Sequence, residues 1–299
     1  MLEMIKLQGM LFLLLGIGVI ARKRNIITEQ GRKSLSNLVI HIILPCNIIN
    51  SFRIERAMSI LQQCGLVLAV AFVAQLFYLI LSKCVFYGFP HNQKVVLQYA
   101  TICSNAGFMG NPVVEAVYGA QGLLYASVAL IPLRIAMWSA GLSLFTSTDR
   151  KNVVKKLIVH PCMIAVYIGF VLMFSQAELP AFLSNTLKSV GGCNTAVSMI
   201  VIGAILAEID VKLIINPKLF YYSLWRLILI PCMVFGALSL FHVDALVTGV
   251  TVLLAAMPAG STTAMLADTY GADSAFASAC VFVSTVLSII TLPLISMLL

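Results

Sequence analysis

Charged residues are scarce in this sequence. Of its 299 residues, 10% are Asp, Glu, Lys or Arg, whereas about a quarter is usual for a soluble globular domain. Hydrophobic residues make up 61% of the chain, and the mean hydropathy is +1.02. This composition excludes a soluble globular domain and predicts an all-α polytopic membrane protein.

Motifs for catalysis and for metal binding are also missing. The eight cysteines stand singly, without a CxxC pair or a histidine at ligand spacing, so we predict no metal site and no cofactor. The sequence has no HExxH motif, no Gly-x-Ser-Gly serine site and no paired intramembrane aspartates, so we do not expect an enzyme. The net charge of +8 lies in short connections between apolar segments, which favours membrane topology over a nucleic-acid partner.

Ten apolar segments have roughly the 20-residue length that crossing a bilayer requires. They lie at about 5–21, 34–52, 62–88, 95–117, 121–146, 157–175, 182–207, 219–241, 245–268 and 274–298. Lys and Arg concentrate in alternate connections: the connections on one side of the membrane hold fourteen such residues, Arg226 among them, and those on the other side hold four. The positive-inside rule then predicts that both termini lie outside the cytoplasm. We expect an uncleaved first helix and a location in the inner or plasma membrane of a bacterial cell.

Helix-breaking residues interrupt two of these segments near their middle. The first, 102–119, contains Asn105, Gly107, Gly110, Asn111 and Pro112. The second, 255–271, contains Pro258 and Gly260, followed by Ser261, Thr262 and Thr263. Proline removes a backbone donor and glycine leaves helical geometry at little steric cost, so we predict breaks at Pro112 and Pro258. In hydrocarbon, the freed backbone groups must face protein or a water-lined cavity.

The two interrupted segments resemble each other. Both end in Tyr-Gly-Ala, and the similarity continues from YGAQGLLYAS at Tyr118 to YGADSAFAS at Tyr270. Five spans per half would give the two halves opposite orientations in the membrane. The pattern therefore predicts two inverted five-helix repeats whose broken helices, spans four and nine, cross near the midplane, as in secondary transporters.

The predicted break favours an anionic ligand. A helix start exposes N–H groups and the positive end of the helix dipole, so two half-helices can hold an anion without a buried lysine. The predicted substrate-binding residues at the two breaks are Asn105, Asn111, Pro112, Pro258, Ser261, Thr262 and Thr263. Alternatively, these polar side chains only satisfy the backbone groups that proline and glycine free.

Arg134 is the one cation predicted to lie well inside a span, and it joins the predicted substrate contacts. A charge in the membrane is costly, so Arg134 should pair with Glu115, contact a substrate carboxylate or extend to an interface. Weaker candidates for the substrate path or the scaffold are Pro45, Asn47 and Asn194. Asp268 and Asp273 suit either a cation site or a solvated loop end.

The motifs SNAGFMGNPVVEAVYG and AAMPAGSTTAMLADTYG, with His160-Pro161 at span six, resemble the auxin efflux carrier family, particularly its bacterial members. That family is similar in fold to the bile acid/sodium symporters. The resemblance implies an elevator: scaffold helices in 1–60 and 150–210 that form a homodimer, and a moving transport domain in 61–149 and 211–299. It also implies small organic carboxylates as substrates and the lipid bilayer as surroundings.

We therefore predict a secondary transporter that exports small organic anions, with Na⁺ or H⁺ as a candidate coupling ion. The alternative is a sodium-coupled symporter of organic anions similar to the bile acid carriers, because unwound carbonyls at crossed half-helices can coordinate Na⁺. An aquaporin-like channel is a remote alternative. It needs a second Asn-Pro pair, and the second break reads Met257-Pro258-Ala259 instead.

Overall fold

The computed structural model describes residues 2–53, 58–145, 158–207 and 216–299, and within these ranges the regular secondary structure is all helical apart from one isolated β-bridge. The α-helices are α1 Leu2–Lys23, α2 Glu29–Leu38, α3 Leu44–Ser51, α4 Met58–Val85, α5 His91–Ile102, α6 Asn111–Ala136, α7 Pro161–Ser175, α8 Ala181–Gly192, α9 Asn194–Leu206, α10 Pro217–Leu224, α11 Ile230–Leu240, α12 Ala245–Ala255, α13 Thr262–Thr269 and α14 Ser274–Ser296. The predicted all-α class is therefore confirmed.

Six helical stretches in the described ranges are long and apolar enough to cross a membrane. They are Glu29–Ser51, Ser59–Val85, Ala106–Gly141, Ala181–Leu206, Pro217–Leu240 and Ser274–Ser296. Two shorter apolar helices are Pro161–Ser175 and Ala245–Ala255. The count of ten spans and their inverted arrangement stay predictions. The basic connection at 150–156 lies outside the described residues.

Three π-helical segments each end two residues before a proline. They are Val39–Ile43 before Pro45, Ala106–Gly110 before Pro112, and Trp225–Leu229 before Pro231. The proline ring clashes with the carbonyl four residues earlier, and a wider turn relieves that clash without ending the helix. Pro45 and Pro112 consequently lie in the first turns of α3 and α6. At Pro45 the chain therefore forms a widened helical turn and stays helical.

Helix α1 packs along α9 at very close range. A Cβ atom on Gly203 would lie 2.0 Å from the Leu15 carbonyl oxygen, and one on Gly18 would lie 2.1 Å from that of Ile200. Helix α3 packs against α7 and α8, and α6 against α4 and α12. Small residues at these contacts let the backbones approach, as is usual where helices associate in a membrane.

Matching glycines in the two halves share an unusual backbone conformation. Gly119 has φ +66° and Gly271 has φ +71°, in the left-handed region that glycine adopts without steric cost. Each follows the tyrosine of a Tyr-Gly-Ala sequence. At Gly119 the non-helical geometry bends the chain inside the range of α6.

Many large apolar side chains face outward. Leu13 is 73% exposed, Val73 67%, Ile80 66% and Ile290 63%. Such a surface is unfavourable in water and suits the hydrocarbon of a bilayer.

Candidate functional site

Two non-helical segments pass each other in the protein interior. Helix α5 ends at Ile102 and helical geometry resumes at Ala106, while α12 ends at Ala255 and α13 begins at Thr262. Ser104 and Ala259 form an antiparallel bridge between the two segments. We call residues 103–105 and 256–261, joined by this bridge, the crossover.

Two backbone hydrogen bonds hold the crossover together. The Asn105 N–H donates to the Pro258 carbonyl at 2.8 Å, and the Gly260 N–H donates to the Cys103 carbonyl at 3.2 Å. The Ala259 N–H donates to Ser284 Oγ at 3.2 Å. Each segment therefore supplies partners for backbone groups of the other, as a membrane interior requires.

The first interruption lies earlier than predicted. The non-helical residues are Cys103, Ser104 and Asn105, whereas Gly107, Gly110 and Pro112 are helical. The prediction of a break at Pro112 is wrong in position, because the π-helical segment before it accommodates the proline. The second interruption does contain Pro258 and Gly260.

Side-chain donors reach the carbonyl groups at the end of α5. Tyr222 Oη donates to the Ala100 carbonyl at 3.0 Å, Arg226 Nη1 to that of Thr101 at 3.1 Å, and Gln75 Nε2 to that of Ile102 at 2.9 Å. Gln75 is a lone amide within an apolar helix, and this bond links that helix, α4, to α5. These contacts stabilise a helix end that would otherwise carry unpaired acceptors.

Arg226 is the buried cation at the crossover that sequence reasoning missed. It is 1% exposed, and besides its bond to Thr101 its Nε donates to the Met257 carbonyl at 3.0 Å. Its guanidinium lies 5.3 Å from the centroid of the Tyr78 ring. Arg226 is therefore a second cation inside a span, and its assignment to a cytoplasmic connection was wrong. The signal that could have found it was its position within the apolar stretch 219–241 rather than at its edge.

The helix starts beside the crossover are uncapped. No side chain caps the π-helical segment that begins at Ala106, nor α13 after Ser261. The first N–H groups of a helix have no intrahelical partner, so both starts can donate to a ligand. Asn105 as a whole residue is 93% buried. Tyr99 Oη donates to Thr262 Oγ1 at 3.3 Å.

A cavity of about 60 Å³ adjoins these helix starts. On the crossover side its lining residues include Asn105, Phe108, Ser261 and Thr285. The opposite wall belongs to α2, the π-helical segment after it and α9, and is formed by Ser36, Ile40, Ile202, Ile205 and Leu206. Of the predicted substrate contacts, the structure thus brings Asn105 and Ser261 to one cavity.

Three other candidate residues do not line that cavity, and each has at least one buried polar atom without a partner. Both amide atoms of Asn111 and the hydroxyl of Thr263 are buried with no hydrogen bond in the structure. Asn194 accepts a hydrogen bond from Ser198 Oγ at 3.3 Å through Oδ1, while its Nδ2 has no partner. Unpaired buried amides and hydroxyls are costly, so these groups are available to a ligand or to water.

Glu115 pairs with an amide and not with Arg134. Asn47 Nδ2 donates to Glu115 Oε2 at 2.9 Å, which joins α3 to α6. A Cβ on Gly191 would lie 2.9 Å from the Asn47 Cα, so α8 packs directly on the backbone there. The structure therefore contradicts a pairing of Arg134 with Glu115, and it makes Asn47 a contact between helices.

Arg134 is 4% exposed, which excludes extension of its charge to an interface. It lies close enough to His160 and Cys162, at the start of α7, to act electrostatically on both. Its Nη1 has no hydrogen-bond partner in the structure.

Asp273 caps α14, where its carboxylate accepts from the Phe276 N–H at 3.0 Å. The side chain of Asp268 lies outside the described residues.

Comparison with known proteins identifies the family. A family model described as "Membrane transport protein" matches residues 7–296. An uncharacterized transporter of Methanothermobacter thermautotrophicus is 26% identical over 293 residues, which cover 95% of this chain and 94% of that protein. An uncharacterized transporter of Methanocaldococcus jannaschii is 22% identical over 287 residues, 93% of each chain.

The chain belongs to the membrane transport protein family, in which the auxin efflux carriers fall, and the resemblance found in its motifs is confirmed. Together with its apolar helices, this makes it an integral membrane protein with a transport function. Both relatives are archaeal, and location in a bacterial membrane stays a prediction.

Proposed function

We propose that this protein is a secondary transporter that exports small organic anions, with the carboxylate bound at the crossover. The observation that carries the proposal is the pair of uncapped helix starts, at Ala106 and Thr262, beside a cavity lined by Asn105 and Ser261. Helix starts favour anions through free N–H groups and the helix dipole. A carboxylate in this cavity would accept from both helix starts and from the side-chain donors beside them.

The charge at the crossover also supports an anionic substrate. Arg226 contributes a buried positive charge, and among the described residues no carboxylate is hydrogen-bonded to it. The remaining carbonyls at the end of α5 already accept from Tyr222 and Gln75. A cationic substrate would find few free acceptors here and a repelling guanidinium.

An elevator mechanism would explain the location of the cavity. Its two walls belong to different groups of helices: α2 and α9 in the proposed scaffold, and the crossover with α14 in the proposed transport domain. Packing is extensive within each group, for α1 with α9 and for α6 with α4 and α12. Movement of one group along the other would carry a site on the crossover across the membrane.

The matched left-handed conformations of Gly119 and Gly271 support two repeats of similar structure. With the predicted topology, the cavity lies towards the cytoplasm, because Ser36 and Leu206 adjoin connections rich in Lys and Arg. A site that opens to the cytoplasm can load substrate for export. A homodimer through the scaffold helices remains part of the proposal through the family resemblance.

The predicted contacts differ in their access to the bound anion. Asn105 and Ser261 would touch it directly, and Thr262 would do so after releasing its bond from Tyr99. Asn111 and Thr263 would reach it if the cavity enlarged towards them. Arg134 does not line this cavity, so a contact would need a different arrangement of α6 against α7.

A thermal-stability screen of the purified protein tests this function. Mono- and dicarboxylates, neutral solutes and cationic solutes are each added in NaCl and in KCl. We expect one class of carboxylate to raise the unfolding temperature, because a ligand that binds the native state stabilises it by mass action. The shift should be lost in Asn105→Ala and kept in Asn37→Ala, an exposed asparagine that serves as the matched control.

Three results would contradict the proposal. Stabilisation by neutral or cationic solutes through Asn105 would keep the site and overturn the anion assignment. A carboxylate shift that persists in Asn105→Ala would move the site away from the crossover. Stabilisation by Na⁺ in the absence of carboxylate would favour the sodium-coupled symporter instead.

A further inference from the structure

The guanidinium of Arg226 lies where the two interrupted helices end. Its Nη1 donates to Thr101, in the last turn of α5, and its Nε donates to Met257, two residues after the end of α12. These acceptors lie at the negative ends of the two helix dipoles. One side chain thus binds both halves of the crossover from their carbonyl side.

Carbonyl groups released at crossed half-helices are oxygen ligands of the kind that can coordinate a coupling cation such as Na⁺. In this chain five of those oxygens already accept a hydrogen bond. The carbonyls of Thr101 and Met257 accept from Arg226, and that of Cys103 accepts from the Gly260 N–H. Those of Ala100 and Ile102 accept from Tyr222 and Gln75.

We propose that the Arg226 guanidinium is a permanent, covalently attached cation that takes the place of a coupling sodium ion at the crossover. Substrate anions then bind and are transported without Na⁺. This inference rests on the proposed function, which it deepens by specifying how the transporter is coupled. Arg226 acts as a positioning residue: it fixes the geometry of both helix ends and supplies positive charge at the crossover.

The geometry suits arginine in particular. The planar guanidinium donates in two directions at once, to Thr101 and to Met257, while its central carbon lies over the Tyr78 ring. Lysine presents a compact ammonium that cannot reproduce this arrangement in full. Because the side chain is 1% exposed, a shortened variant leaves both carbonyls without a charged donor unless a small cation enters the vacated space.

The first experiment needs only the wild-type protein. Its unfolding temperature and its affinity for the carboxylate found in the screen are measured in NaCl, in KCl and in N-methylglucamine chloride at equal ionic strength. We expect the same values in all three salts. An affinity that rises more than about tenfold with Na⁺ would overturn the proposal, as would selective stabilisation by Na⁺ without substrate.

The second experiment removes the cation. Arg226→Ala should lower the unfolding temperature and weaken carboxylate binding by about tenfold or more, because two buried carbonyls lose a charged donor. Arg226→Lys should fall between this variant and the wild type. Lys33→Gln is the charge-matched control: Lys33 is exposed and pairs only locally with Glu29, so its loss should leave both quantities unchanged.

Chemical rescue distinguishes a required cation from a packing group. Methylguanidinium at millimolar concentration should restore stability and binding to Arg226→Ala, and Na⁺ should do so in part. Urea, which is planar and similar in size but neutral, should not. Equal rescue by urea, or unchanged carboxylate binding in Arg226→Ala, would overturn the proposal.

The two proposals fail separately. If no carboxylate binds the wild type in any salt, the proposed function fails, while the salt-independent stability and the rescue of stability by methylguanidinium still test Arg226. If carboxylates bind only with Na⁺, the transporter assignment stands and the role of Arg226 fails. If Arg226→Ala does not fold, the role of Arg226 is tested by Arg226→Lys and by the salt series on the wild type.

Discussion

Gly260 allows the sharpest test of the crossover. A Cβ atom there would lie 2.9 Å from the Cys103 carbonyl oxygen, whereas ordinary contact begins at 3.4 Å. In Gly260→Ala the alanine Cβ would therefore be 0.5 Å too close to that oxygen. The obstacle is a backbone atom that cannot rotate away. Separating the segments by this amount would stretch the 3.2 Å hydrogen bond from Gly260 to Cys103 beyond the usual range.

Overpacking of this kind costs about 1–3 kcal/mol, and the reduced entropy of the unfolded chain returns at most about 1 kcal/mol. We expect Gly260→Ala to unfold at a lower temperature and to lose most of its carboxylate affinity. The measurements are thermal unfolding in detergent and titration of the ligand found in the screen.

Gly107→Ala is the matched control for this prediction. Gly107 follows the other segment of the crossover, and a Cβ atom there would meet nothing within 4 Å. This variant should fold and bind like the wild type. The reasoning would be refuted if Gly260→Ala matched the wild type in both measurements, or if Gly107→Ala were impaired as strongly.

Three further predictions concern helix contacts. Gly203→Ala should destabilise the protein strongly, because its Cβ would meet a backbone oxygen at 2.0 Å. Gly236→Ala, where a Cβ would meet nothing within 4 Å, should be neutral or stabilising. Thermal unfolding of the two variants checks this prediction. A double-mutant cycle at Asn47 and Glu115 should give a coupling of about 1 kcal/mol or more, and additive losses of stability would refute the 2.9 Å hydrogen bond. Arg134→Met should cost little stability, because it removes a buried charge whose Nη1 has no partner and gives up the hydrogen bond with Cys162, and an unfolding free energy lower by more than about 3 kcal/mol would contradict this.

The sequence was informative where the signal is local. Charge content and apolar segments identified a helical membrane protein, and the motif with Pro258 and Gly260 located the second interruption. The first interruption was predicted too late in the chain. Gly107 and Pro112 suggested a break, but a π-helical turn accommodates them and the helix ends before Asn105. Local composition alone does not distinguish a widened turn from an end of the helix.

The partners of buried polar groups could not be predicted from sequence distance. Arg134 and Glu115 are on consecutive predicted spans, yet Glu115 pairs with Asn47, 68 positions away. Arg226 contacts Thr101, 125 positions away. The count of Lys and Arg residues assigned Arg226 to a connection between spans. Such a count uses only sequence position and carries no information about which side chains are buried.

The bridge between Ser104 and Ala259 has a consequence for biosynthesis. Ala259 leaves the ribosome 155 residues after Ser104. Until then, the polar backbone at 103–105 has none of its partners from 258–260, in a lipid environment that tolerates unpaired backbone groups poorly. The first half of the chain must therefore wait at the insertion machinery, or hold water at this point, until the second half arrives. Truncation after the first five predicted spans should expose that dependence as rapid degradation of the fragment.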